Sequence, residues 1–473
     1  MAQGAWIFLI PPFDGQDEHD HAFKAAAVAR GDWGGAHDRV EVGRGALMAV
    51  PEDIVTAALP ACEALPYTQR DDCNPSATLP DGQVLVATSF APTHPAFYAL
   101  VGTAALPFEG AAAGYAMRVA GSVLCTTMMV AAFAVIRRTS RTQWPATGFL
   151  LLLTPAMMYA TSLPAPNGPE MAAGLLLWST LLFGSTESAP APRWVIAAGT
   201  TAAVLLATVR TIGPLWLGLC VLVAVMYHGV PWALERLRDR SLWPAYAVVV
   251  LAVMAGAAWT LLFSPNDPEN ESGPQFVGSA WPYMPSAGVV WLIQLVAAIP
   301  RRNSMVPISV YAVVLAAWTV MLCVACWRGH RAVRWSIAAI FVSTTGVSIA
   351  LTVATYTEIG LAWQGRYSWP FVLGWLLLAA HSLERRRASG DLSALVMSGA
   401  VAAFSLTTSV VGVRSKLLAR GVADASWTAP STQLVALLTL SGVLLTVGAL
   451  ATLRVKQPVS ARQDAADDAP ALV

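Results

Sequence analysis

The chain has 473 residues, of which 56% are hydrophobic and 12% charged, whereas an ordinary soluble domain carries roughly 25% charged residues. That composition excludes a soluble enzyme of this length, and a net charge of +1 offers neither a basic field for nucleic acid nor an acidic solvating tail. Twelve membrane helices of about 20 residues need roughly 240 positions. Apolar residues are numerous enough to supply them, so the arithmetic fits an all-α polytopic membrane protein with a few sizeable loops.

At the N-terminus, Met1 to Ile10 has no basic n-region and runs into Pro11 and Pro12 without a small-residue cleavage site, so no cleavable signal peptide is expected. Ala2 to Phe13 would rise only about 18 Å as a helix, against a hydrocarbon core of about 30 Å. It reads as the outer half of a first spanning helix, as though translation began further upstream. Apolar runs follow near 114–136, 145–163, 168–184, 194–209, 211–227, 243–263, 306–327, 335–355, 367–383, 393–413 and 432–453. With the short first helix they make about twelve transmembrane helices.

Orientation follows from the basic clusters in the short loops: Arg137, Arg138 and Arg141; Arg236, Arg238 and Arg240; Arg328, Arg331 and Arg334; Arg385, Arg386 and Arg387; and Arg454, Lys456 and Arg462. If the spans alternate, every cluster falls on one side. Both termini are then cytoplasmic, and the protein is expected to be a multi-pass cell-membrane protein with its active face outward. Residues 1–455 form a single integral membrane domain on this reading, and 456–473 a disordered cytoplasmic tail.

The outer side receives residues 14–109, 264–305 and about 414–431. Residues 14–93 hold 13 Asp and Glu against 5 Lys and Arg. A short helix is expected from Asp17 to about Arg30, and another at the outer surface between His94 and Phe108. Met284 to Pro300 is apolar enough to lie in the interface or re-enter the membrane. Arg414, Lys416 and Arg420 break the positive-inside trend, either because translocation tolerates them or because they bind an anion. Cys62 and Cys73 lie eleven positions apart in the first outer loop, where an outward compartment favours a disulfide. Cys125, Cys220, Cys323 and Cys326 fall inside spans, and the last two are read as packing.

The most informative stretch runs from Pro11 to Lys24. The Pro pair ends the first helix, and Asp17 and His21 stand at i and i+4, on one helical face. A carboxylate beside an imidazole at the mouth of a membrane cavity can take a proton from a hydroxyl. Alternatively, the acidic residues merely cap the helix and complement its dipole. A divalent metal on His19, His21 and the carboxylates is a less favoured reading, because no HExxH or comparable spacing is present. Arg118, Asn167, Glu170, Arg210 and the run Gln364, Gly365, Arg366, Tyr367 sit at span ends facing the same leaflet. Ionisable groups at such depth are costly, and the planar fork of Arg suits phosphate. Singly each could snorkel; together they suggest a lipid-phosphate site.

Pro12, Asp17, Glu18 and His21, then His94, Pro95, Phe97 and Tyr98, then Met117 and Arg118, Pro166, Asn167 and Gly168, and Gln364 to Tyr367, resemble the bacterial membrane-protein family catalogued as domain of unknown function 2142. Such proteins look similar in plan to integral-membrane glycosyltransferases of the GT-C type, with an acidic motif in the first outer loop and polyprenyl-phosphate sugars as donors. The resemblance implies a cell-envelope glycosyltransferase that moves a sugar from a polyprenyl-phosphate donor to a glycan or lipid acceptor, with inversion and no protein nucleophile. Asp17 would be the base, Glu18 the second choice, and His21 would orient the carboxylate. Arg366, Arg118 and Arg210 would hold the departing phosphate, while His94, Tyr98, Asn167, Gln364 and Tyr367 would contact substrate. A transporter or lipid flippase using the same charges as a gate, and a non-catalytic envelope assembly protein, are the competing readings.

Overall fold

In a computed structural model, the described residues are 2–33, 46–64, 74–184, 191–263, 276–300, 305–389, 391–420 and 427–452. The chain begins with a short helix, α1 (Ala2–Leu9), which stops before Pro11 and Pro12. A loop subdomain follows. It contains α2 (Glu18–Ala29), β1 (Ala46–Pro51), α3 (Glu52–Glu63), β2 (Ala77–Thr78), β3 (Gln83–Thr88) and α4 (Ala96–Ala105). The strands form an antiparallel sheet in the order β1-β3-β2, with Ala46 opposite Thr88 and Val50 opposite Val84. This small sheet was not expected, because β1 and β3 are each only six residues long and were hidden in an acidic loop. The helices expected after Asp17 and after His94 are present as α2 and α4.

The subdomain is packed around Phe23, Met48, Val50, Ile54, Val84, Val86, Phe97 and Val101, a cluster it shares with Met117 and Val209 of the helices that follow. Gly102 of α4 allows close docking on α2, since a Cβ there would lie 2.0 Å from the carbonyl oxygen of Ala25. Cys62 is buried and disulfide-bonded. Its expected partner, Cys73, lies outside the described residues. Cys125, Cys220, Cys323 and Cys326 are free.

The remaining helices are α5 (Gly110–Thr139), α6 (Trp144–Leu152), α7 (Pro155–Ala160), α8 (Asn167–Phe183), α9 (Arg193–Val209), α10 (Gly213–His228), α11 (Val230–Arg238) and α12 (Trp243–Phe263), then α13 (Met284–Val296), α14 (Ile308–Arg328), α15 (Arg331–Ile359), α16 (Trp369–Val372), α17 (Gly374–Arg385), α18 (Asp391–Ala419) and α19 (Thr432–Thr452). Five helical segments among the described residues are long and apolar enough to cross a membrane, or six when the bent pair α10 and α11 counts as one. Every expected apolar run contains a helix, but several are short or broken, so the count of twelve goes further than these lengths do. Proline explains one break: Thr154 caps α7, Pro155 opens it, and α6 stops at Leu152.

A broken helix exposes backbone carbonyls that a lipid environment cannot satisfy. Tryptophans supply donors here. The indole N–H of Trp318 donates to the Leu151 carbonyl at 2.9 Å, and that of Trp178 to the Pro370 carbonyl at 3.0 Å. Helix α8 is buried along most of its length and packs on α5, α9, α16 and α17. At the other extreme, α12 has no buried residue and packs chiefly against α9, leaving Val250, Leu251, Met254 and Leu261 exposed.

Candidate active site

The site is built where α1 ends against the loop subdomain. Three carbonyls at the end of α1, from Ile7, Ile10 and Pro11, converge on the guanidinium of Arg118, which donates to them at 2.6, 2.7 and 2.6 Å. Its remaining N–H groups go to Glu18, with Nε 2.6 Å from Oε1 and Nη2 2.7 Å from Oε2. A guanidinium has five N–H donors, and these five bonds use them all. Both side chains are fully buried, and Glu18 Oε2 also accepts from the Gly15 N–H at 2.9 Å. The expected roles of Arg118 in gripping phosphate and of Glu18 as second-choice base are therefore corrected: each is already saturated by the other and by backbone. Gly15 has to be glycine, since a Cβ there would lie 2.7 Å from Glu18 Oε2.

The clamp anchors Asp17. This residue occupies the N-cap position of α2, yet its side chain makes no capping bond, and its backbone is left-handed with φ 55° and ψ 21°. A non-glycine residue in this region is uncommon, and the neighbouring clamp holds it there. The carboxylate points instead toward Gln16, whose Nε2 donates to Oδ1 at 2.7 Å, and toward Arg366, whose Nη2 lies 3.5 Å from Oδ2. With 22% of its side chain exposed, against 0% for Glu18, Asp17 is open to a solute; Asp20, at 21%, is turned to Ser89 instead, so Asp17 is the partly exposed carboxylate of this motif that faces Arg366.

Arg366 is carried on a tight turn. Its neighbour Gly365 donates its N–H to Gln294 Oε1 at 2.7 Å, and a Cβ on Gly365 would fall 1.9 Å from the Trp291 carbonyl oxygen. Tyr367 then sits between two cations, with the Arg210 guanidinium 4.3 Å and that of Arg366 5.6 Å from its ring centroid. Such cation–π contacts orient a guanidinium, and Arg210 also hydrogen-bonds the Tyr367 side chain. Arg210 is also held by Glu170, Nε to Oε2 3.5 Å.

His21 is not paired with Asp17 as the spacing suggested. Its Nδ1 lies 2.9 Å from the Tyr98 hydroxyl, and its ring stacks on Phe90 at 3.7 Å. Burial, with Arg210, Arg366 and His19 adding repulsion, pushes its pKa well below the usual imidazole value. The ring is therefore neutral and structural. Tyr98, expected to contact substrate, is fully buried and makes this contact with His21. Asp20 accepts from the Ser89 hydroxyl at 3.0 Å, and burial raises its pKa. Lys24 donates to the carbonyls of Ala91 and Trp33 at 2.7 and 2.9 Å, and burial lowers its pKa to about 8. Among the described residues, no group of three or more His, Cys, Asp or Glu is arranged to hold a metal ion.

Beside Arg210 and Tyr367 a groove of about 760 Å³ runs between α9, α10, α12 and α15. Phe90, Thr93 and His94 close one end. Ala207, Val209, Ala257, Leu261, Leu351 and Ile359 line its apolar length. His94 packs edge-on against Trp259, whose indole donates to the Pro92 carbonyl at 3.0 Å. Asp17, Arg210, Arg366 and Tyr367 are thus brought together, with His94 at the groove. Asn167 and Gln364 are both buried, and Asn167 shares a small notch with Arg366. Gln16, Gln294 and Tyr159 were not anticipated; a lone Gln or Tyr beside apolar residues carries no sequence signal of its place. Arg414 and Lys416 donate to the carbonyls of Pro430 and Met305.

The sequence matches the model of the family described as Predicted membrane protein (DUF2142) over residues 2–375. No curated protein matches. Among solved structures, the crystal structure of ArnT from Cupriavidus metallidurans bound to undecaprenyl phosphate aligns with 100% of this chain and 79% of its own, at 16% identity and a TM-score of 0.43. The apo form of the same protein aligns with 99% of this chain and 79% of its own, at 15% identity and a TM-score of 0.39. Similarity at that level transfers neither ligand nor activity.

Proposed function

The chain belongs to the DUF2142 family of predicted membrane proteins, and on that premise we propose that it is a membrane glycosyltransferase using a polyprenyl-phosphate sugar at the outer face of the cell membrane. The observation that carries this reading is the meeting of a partly exposed carboxylate, Asp17, with the guanidinium of Arg366 at 3.5 Å, next to a long apolar groove headed by Arg210. Acid, cation and apolar channel are what transfer from a lipid phosphate needs. The isoprenoid lies along the groove, and its phosphate meets Arg210 and Arg366.

Asp17 accepts the proton of the acceptor hydroxyl as that oxygen attacks the anomeric carbon. The bond from that carbon to the phosphate oxygen breaks, and the electron pair leaves on the lipid phosphate, where the two guanidiniums stabilise it. One displacement inverts the anomeric centre and needs no covalent intermediate. The Glu18–Arg118 clamp acts through Asp17 by fixing its backbone. His21 acts through Tyr98 and Phe90 by fixing α2 against the loop. The acceptor is an envelope glycan or lipid, and both chain termini lie in the cytoplasm.

The test is transfer of radiolabel from polyprenyl-phosphate pentose and hexose donors by the full chain in proteoliposomes. Labelled product of inverted configuration supports the reading. Movement of the lipid across the bilayer with no product would replace it with a flippase.

A further inference from the structure

Beside Arg366 lies a notch of about 20 Å³ lined by Gln16, Tyr159, Asn167, Gln294 and Arg366 with apolar neighbours. That volume accommodates about one oxygen atom. Two of the residues that line it each carry a buried polar atom without a hydrogen-bond partner: Asn167 through Oδ1, an acceptor, and Arg366 through Nε, a donor. Asn167 is only 4% exposed. Leaving such a group without a partner costs about 1–3 kcal/mol, which a small polar group bound between them would recover.

The chemistry of that partner is narrow. It must donate to Asn167 and accept from Arg366. A phosphate oxygen only accepts and an ammonium only donates, whereas a hydroxyl does both. The notch is also joined to the reacting groups, because Gln16 Nε2 bonds Asp17 Oδ1 and Arg366 Nη2 faces Asp17 Oδ2.

We infer that the notch between Asn167 and Arg366 binds a single hydroxyl of the donor sugar, and that a water molecule takes the same place when no donor is bound. The sugar part of this inference rests on the glycosyltransferase reading; the hydroxyl part does not. Reading one hydroxyl in a buried site is a strong specificity device, since an analogue lacking it leaves both protein groups unpaired.

The test has two arms. A high-resolution map of the full chain in lipid nanodiscs without donor is expected to show one compact peak within hydrogen-bond distance of both Asn167 Oδ1 and Arg366 Nε. An empty notch, or Asn167 turned onto a protein donor, overturns the inference whatever the protein's activity. In the second arm, kcat/KM is compared for polyprenyl-phosphate sugars and their monodeoxy analogues. Loss of about 100-fold or more is expected at one sugar position only. Asn167→Leu should abolish that discrimination and Asn167→Asp, which keeps an acceptor, should preserve it. Equal losses at all positions would leave the notch to water and refute its reading of sugar. Absence of turnover with every donor would instead count against the proposed function, with the map still deciding the hydroxyl.

Discussion

Arg118 shows at the scale of one residue why charge type alone does not assign a role. Its five donors meet five acceptors in the interior, so substituting it leaves a buried carboxylate and three carbonyls unpaired. Arg118→Met is expected to destabilise the protein by about 3–5 kcal/mol, read as a lowered melting temperature in detergent, with the Glu18→Gln/Arg118→Met double variant losing less than the sum of the singles. A lipid-phosphate affinity that falls while stability holds would return Arg118 to the site. His21 gives a pH test. Its folded pKa lies well below the 6.5 of the free side chain, so below about pH 6.5 the unfolded chain takes a proton that the folded chain refuses. Stability should fall as pH drops through that window, and His21→Asn should flatten this part of the profile measured by thermal melting. An unchanged slope would mean that His21 is not held neutral.

Among the elements, a glycine places Arg366. The chain from Gln364 to Tyr367 was legible as a motif, but its reason was not: Gly365 lets the turn pass against the Trp291 carbonyl, where a Cβ would lie 1.9 Å away. Gly365→Ala is expected to displace Arg366 and reduce transfer by at least about tenfold, one such factor being 1.36 kcal/mol of barrier, as measured by single-turnover kinetics with the fold monitored by circular dichroism. Unaltered rates would show that the turn absorbs the methyl group. The helical runs, α2 and α4 are legible in the sequence because their signals are local, in proline placement and apolar spacing. The i, i+4 spacing of Asp17 and His21 predicts a pair, whereas Asp17 faces Arg366 and His21 meets Tyr98, both partners supplied by elements distant in sequence. Nothing local could have told that Glu18 meets Arg118 across 100 positions, since burial of an ion pair is decided by packing.

For the whole molecule, the two cores divide the work. The helical core carries the arginines and the groove, while the loop subdomain carries Asp17 and closes over one end. Helix α12 forms the groove's outer wall and is otherwise exposed. Filling the groove from that wall with Ala257→Trp should weaken binding of a polyprenyl phosphate at least about tenfold in a lipid-competition assay while leaving melting within about 0.5 kcal/mol of wild type. Retained affinity would place the isoprenoid elsewhere. The central claim is that Asp17 removes the acceptor proton, and Asp17→Asn tests it most directly because Asn tolerates the same left-handed backbone. In purified full-length protein, sugar transfer should fall about 10²–10⁴-fold while polyprenyl-phosphate binding and melting temperature stay near wild type. Transfer at the wild-type rate in that variant would contradict the account.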